Sequence, residues 1–260
     1  MKMIAIFDQY KTANKIVKYK DENNWTWLEL DAAHYISVTT AISYGNTNKK
    51  LENYYKTNSK AKIEKNLAEA NDFGSKAHEY FESYLLKQDF ECPDTHTKHL
   101  DKFKAWVDKH IVEVIQAEFT VVNKLYGYGG TADCIAIVKS CEDLECCKSF
   151  FTARPVLLDW KTSNSFGISY GFQLAAYRQA LIDNALVDQE CGMMGVQIAR
   201  NTGELKSFIY RNYDWCFHAF LCNLENVKKN YFHKLNKQDW PYLKCKSLII
   251  NPNPLERFES

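Results

Sequence analysis

No run of about 18 apolar residues occurs anywhere in the chain, so no segment is long enough to cross a bilayer as a helix. No disulfide framework is legible, because the nine cysteines are odd in number and irregularly spaced. That usage points to a reducing compartment: the cytoplasm, or the host cytoplasm if the chain is viral. The amino-terminal MKMIAIFDQYK has an apolar run cut short by Asp8, too short for a signal h-region. Charge of one sign is not in excess. A formal net charge of +1 gives no global pull toward a polyanion, so any basic groove must be local. Internal repeats, low-complexity tracts and proline-rich linkers are also missing, which leaves no obvious seam between domains. Arginine is scarce beside plentiful Lys, Asn, Tyr and Ile, a tilt that reflects origin rather than function.

What is present suffices for a core. At 260 residues with 46% apolar side chains, the chain fits one large domain, or a core with a small appendage. Residues 25–45, WTWLELDAAHYISVTTAISYG, predict a short strand or hairpin around Trp25 to Leu30. A helix follows near Ser37 to Thr40, where Ser and Thr are good N-caps. Residues 60–88 carry apolar side chains at helical spacing, with a break around Asp72 to Gly74, and residues 97–117 predict another helix. AEFTVVNKLYGYGGTADCIAIV switches to period two and β-branched residues, predicting two strands turned by YGYGG. Residues 154–161 predict a third strand and 169–186 an amphipathic helix. CGMMGVQIARNTGELKSFIYRN predicts a hairpin with NTG at its turn, and 213–234 a helix before a proline-punctuated tail. The order implies an α/β fold, a mixed β-sheet flanked by helices.

The chemistry sits on those strands. The apolar run from Pro155 to Leu158 leads straight into Asp159 and Lys161. Two apart in a strand, they project from one face while Trp160 points to the other. Alone, such a pair reads as a surface ion pair at a strand end. In GGTADCIAIV a second carboxylate, Asp133, stands among apolar neighbours. It either bonds a nearby turn or is costly to bury unpaired. Two acids converging with a lysine describe a divalent-cation site. Magnesium or manganese takes one or two carboxylates plus waters and phosphate oxygens, and the Trp160 carbonyl offers one more oxygen. In GSKAHEYFESYLL, His78 and Glu82 are four apart on one helical face. His78 is a packing residue in one reading and a neutral imidazole ligand in the other. Gln173 and Tyr177 are likewise four apart in FQLAAYRQAL. They make either a half-buried helix face or an amide and a phenol aimed at the same site.

Together these fragments resemble the PD-(D/E)XK nuclease superfamily, in its RecB-like exonuclease branch. GSKAHEYFESYL matches that family's Gly-x-x-x-His-x-x-x-Glu helix, and GGTADCIAI its Gly-Thr-x-Asp strand. LLDWKTS matches its Asp-x-Lys strand, and QLAAY its Gln-x-x-x-Tyr helix. The four occur in the family's order across residues 74 to 177. ISVTTAI is similar to the Ser-Val-Thr segment of mitochondrial genome maintenance exonucleases and related phage enzymes.

The resemblance implies a restriction-endonuclease-like core and metal-dependent exonucleolytic cleavage of DNA in recombination, repair or replication. It implies an N-terminal DNA-contacting segment (1–60), a catalytic core (61–212) and a C-terminal helix and tail (213–260). Asp133 and Asp159 would hold magnesium or manganese, with His78 and the Trp160 carbonyl completing the shell. Lys161 would orient or help deprotonate the attacking water, and Gln173 and Tyr177 would contact substrate or brace the site. Glu82 and Glu118 are accessory acids in this picture. Ser37 and Thr39 would bind phosphate at a helix N-terminus, where free N–H groups favour anions.

The implied partner is DNA, as single strands or duplex ends, together with a single-strand annealing or other DNA-binding protein; a membrane is not implied. Cys141, Cys146 and Cys147 cluster in the long connection after the Asp133 strand, but a structural zinc would want a fourth ligand and a Cys-x-x-Cys step. The spacing of Cys216, Cys222 and Cys245 does not match the iron–sulfur set of some RecB-like relatives. A non-cleaving DNA-binding module of the same fold is the alternative, or a structure-specific endonuclease.

Overall fold

The computed structural model describes residues 2–21, 24–45, 54–139, 154–165 and 167–234. Along the chain come α1 (Lys2–Ala13), β1 (Val17–Lys20), β2 (Thr26–Leu30), β3 (Ala33–Ser37) and α2 (Val38–Gly45). Then follow α3 (Lys60–Leu85), α4 (Asp94–His110), β4 (Ile111–Asn123), β5 (Tyr128–Val138) and β6 (Pro155–Lys161). The last are α5 (Ser169–Asp183), β7 (Gly192–Ile198), β8 (Leu205–Ile209) and α6 (Tyr213–Lys234).

The strands form one mixed sheet in the order β1-β2-β3-β5-β6-β7-β8, with β4 also paired to β5. β3 runs parallel to β5 and β6 parallel to β7, while the other pairs are antiparallel. The register at β5 sets up the site. β4 pairs along the whole of β5, from Tyr128 to Val138. The opposite edge of β5 is shared. β3 takes Tyr128 and Gly129, and β6 takes Cys134 to Ile137. Gly130 to Asp133 therefore lies in a fork between two strands that have parted, where backbone and side chains are reachable from outside the sheet.

Helices cover both faces. α1, α2, α5 and α6 pack on one, around Phe7, Val38, Leu157, Leu174, Met193 and Phe220. α3 and α4 pack on the other, where Phe81 stacks on Phe103 at 4.1 Å and Trp160 meets Phe103 at 4.9 Å. Full burial of side chains this large stabilises the fold by about 1.5–3 kcal/mol each. Trp160 thus anchors β6 from the face opposite Asp159 and Lys161, as the strand period requires.

Several expectations from the sequence need correction. Residues 111–117 are strand, not helix: α4 stops at His110 and the run Ile-Val-Glu-Val-Ile opens β4. β-branched residues prefer a pleated surface, and pairing with β5 supplies it. The break around Asp72 to Gly74 does not occur, because α3 runs unbroken through it. Lys76 bonds Asp72 at 2.9 Å across the weak turn, and Phe73 stacks on His96 at 4.2 Å. The Phe73–His96 contact and the burial of Ala77 and Phe81 on the same helix offset what a mid-helix glycine costs, roughly 1 kcal/mol. α5 is not amphipathic but buried from Gly171 to Arg178, wedged between the sheet and α6. The turn after β4 falls at residues 124–127, and Tyr128 to Gly130 already belong to β5. The residues after Lys234 and the Cys141, Cys146 and Cys147 cluster lie outside the described residues. The five described cysteines are free thiols. No described helix is long and apolar enough to cross a membrane.

Candidate metal centre

Asp133 stands in the fork. Ala117 pairs with Cys134 and Phe119 with Ala132, which puts Glu118 of β4 directly across from it. Glu118 has a left-handed backbone, φ +43°. A side chain other than glycine is strained there by about 1–3 kcal/mol, and such strain concentrates at functional sites. From the helical layer, α3 brings His78 so that Nδ1 lies 3.6 Å from Asp133 Oδ2. One donor atom each from His78, Glu118 and Asp133 lie within 4.8 Å of one another. The same Asp133 oxygen accepts the Trp160 backbone N–H at 2.7 Å. His78 also hydrogen-bonds the Trp160 backbone, a bond that favours its protonated form, as donation to a carbonyl does.

The electrostatics of the three differ. Burial pushes the His78 imidazole below its ordinary value despite the pull of Asp133, so at neutral pH it is the uncharged form that ligates metals. Burial, with Asp133 and Glu82 beside it, pushes the Glu118 carboxyl up to about 7, against the opposing charges of Lys18 and Lys161. The proton that Glu118 holds up to about pH 7 is one that a bound cation would displace.

One layer deeper lies an ion pair. Lys161 Nζ is 2.7 Å from Asp159 Oδ1 and 2.7 Å from Oδ2. Burial pushes the Asp159 carboxyl up, and the Lys161 charge opposes it. Burial pulls Lys161 the other way, and Asp159 and Asp133 more than reverse this, leaving the ammonium raised. Asp159 Oδ2 is buried and makes no aligned hydrogen bond among the described residues. A carboxylate oxygen left so is costly unless a cation faces it.

The walls follow from the sheet and α5. Gln173 bonds Tyr177 through its side chain, and both line the groove. The Tyr177 ring lies against Gly130, where an added Cβ would come within 2.6 Å of Cε1. Only glycine allows that approach, which accounts for the second glycine of the Gly-Gly-Thr step. The groove has a volume of about 890 Å³ and runs past Lys18, Thr39, Asn71, Lys161, Asn164 and Arg200.

Of the residues singled out from sequence, the structure gathers His78, Asp133, Lys161, Gln173, Tyr177, Ser37 and Thr39 on this groove. It does not bring Asp159 into the three-donor cluster, which Glu118 completes instead. Glu82 lies within electrostatic range of Glu118. Ser37 is spent internally: its Oγ accepts the Thr40 N–H at 3.1 Å and bonds the Thr40 hydroxyl at 2.8 Å, capping α2. Thr39 is exposed. From sequence Glu118 is only an accessory candidate, because its place opposite Asp133 comes from cross-strand register, which no local pattern records. Lys18, Asn164 and Arg200 carried no signal at all. Neither models of known protein families nor curated proteins match the chain.

Proposed function

We propose that the chain is a metal-dependent nuclease hydrolysing DNA phosphodiester bonds, as an exonuclease built on a restriction-endonuclease-like core. The observation carrying this reading is the convergence of His78, Glu118 and Asp133 with the Lys161–Asp159 ion pair, lining one groove of about 890 Å³. The donor set fits a hard or borderline divalent cation. Its carboxylates suit magnesium or manganese, and the Trp160 backbone bonds both Asp133 and His78.

Magnesium or manganese, when bound, supplies Lewis acidity toward the phosphate and lowers the pKa of a bound water. The chain's own groups do the rest. His78, Glu118 and Asp133 would hold the ion. Lys161, kept as an ammonium by Asp159, presents donors that orient a water and meet charge on the phosphate, so it steers rather than deprotonates. Gln173 and Tyr177 form a wall that fixes the strand against the floor.

The test uses DNA labelled at either end, single- and double-stranded, with magnesium, manganese or chelator. Metal-dependent loss of label from an end supports the reading, and Asp133→Asn should abolish it. Metal-independent cleavage that survives Asp133→Asn would sink it. Tight DNA binding without cleavage under any metal would replace it with a non-cleaving module of the same fold.

A further inference from the structure

Arginine is the rare cation here, at five residues against 28 lysines. Most described arginines are engaged. Arg154 pairs with Glu190 at 3.0 Å. Arg178 is buried, with Nε donating to the Cys191 carbonyl at 2.6 Å and its guanidinium over the Tyr213 ring. Arg211 also has partners. Arg200 differs: it lines the groove, half-buried, and its guanidinium has no ion pair or hydrogen bond among the described residues.

Its backbone, by contrast, is held from every side. Arg200 N–H donates to the Thr162 carbonyl at 3.0 Å, directly after the lysine of β6. His99 Nε2 lies 3.0 Å from the Arg200 carbonyl and 3.2 Å from that of Ala199. Asn201 N–H donates to Asn164 Oδ1 at 2.9 Å, and Lys98 Nζ to the Thr202 carbonyl at 2.6 Å. Gly203, at φ +68°, closes the turn as only glycine does without strain. A fixed backbone under an unpartnered guanidinium is the arrangement that binds an anion with little ordering cost.

Resting on the nuclease reading above, we propose that Arg200 clamps an internal backbone phosphate of the DNA strand, next to the one at the metal centre. Its planar fork matches two phosphate oxygens at once, which a lysine cannot do. His99 ties α4 to the turn that carries Arg200.

The test is DNA binding by fluorescence anisotropy in chelator, from about 50 to 200 mM salt, using oligonucleotides with and without terminal phosphates. Arg200→Ala is expected to weaken binding about ten- to a hundred-fold on both. It should also lower the slope of log affinity against log salt by about one. KM for cleavage should rise by a matching factor. Arg200→Lys should keep the slope while losing part of the affinity, and it decides the question if the alanine variant does not fold. Lys124→Ala, outside the groove and paired with Asp31 at 3.1 Å, should leave the slope as in the parent. Unchanged affinity and slope in Arg200→Ala overturn the clamp and leave the nuclease reading standing. An effect confined to oligonucleotides with a terminal phosphate overturns the assignment to an internal one. No DNA binding by the parent chain overturns both.

Discussion

The backbone N–H of Trp160 donates to Asp133 Oδ2 at 2.7 Å, across the point where β5 and β6 begin to pair. One residue thereby serves two faces. The Trp160 indole is locked under Phe103 and Trp106, while its amide fixes the carboxylate that, in the proposed nuclease, holds the cation. Packing on one side of the sheet therefore orients chemistry on the other.

Removing that indole tests the coupling. Trp160→Ala is expected to destabilise the protein by about 3–5 kcal/mol. Trp160→Phe should retain most of the stability, and both should weaken metal binding less than Asp133→Asn does. Denaturant melts and metal titration by calorimetry measure the two effects separately.

Lys161→Ala should reduce metal-dependent DNA cleavage by about 10²–10³-fold while the folded protein still binds manganese. The removed ammonium leaves Asp159 buried without its partner at 2.7 Å, so the carboxyl is expected to take up a proton rather than remain charged. Single-turnover cleavage together with manganese binding checks this. Cleavage at the parent rate would place the chemistry elsewhere.

Glu118 makes stability depend on pH. Its folded pKa is about 7, against about 4.3 for an unfolded glutamate. Between those values the folded protein holds a proton that the unfolded chain has released. Stability is therefore greatest below about pH 4.3 in this contribution and falls as pH rises through 7. In chelator the melting temperature should be lower at pH 8 than at pH 5.5, and Glu118→Gln should shrink the difference. Added manganese should raise the pH 8 value in the parent more than in that variant.

Gly130→Ala should destabilise by about 1–3 kcal/mol through overpacking, since the new methyl meets the Tyr177 ring at 2.6 Å. Combining it with Tyr177→Ala should cost less than the sum of the two, because the clash disappears with the ring. A double-mutant cycle by chemical denaturation decides. Strict additivity would mean that the two residues do not touch.

Much of this is legible in the amino-acid sequence. The strand expected at 154–161, the NTG hairpin and the helix at 213–234 carry strong local patterns, and the structure has all three, the strand at Pro155–Lys161. The spacings His78 to Glu82 and Gln173 to Tyr177 placed those side chains on shared helix faces without further information. The failures have a common physical origin. Residues 111–117 became strand because β5 was there to pair with them, and α3 crossed Gly74 because Phe73 had His96 to stack on. Both outcomes depend on residues distant in sequence.

The sequence by itself determined which residue types stand at which periodicity, and so the candidate acids, the histidine and the lysine. Only the tertiary structure decided that Glu118, rather than Asp159, completes the cluster with His78 and Asp133, and that Arg200 faces the same groove. Periodicity fixes the direction of a side chain relative to its own backbone. Which neighbours it meets is set by strand register and helix packing, and those are settled by contacts between residues far apart along the chain.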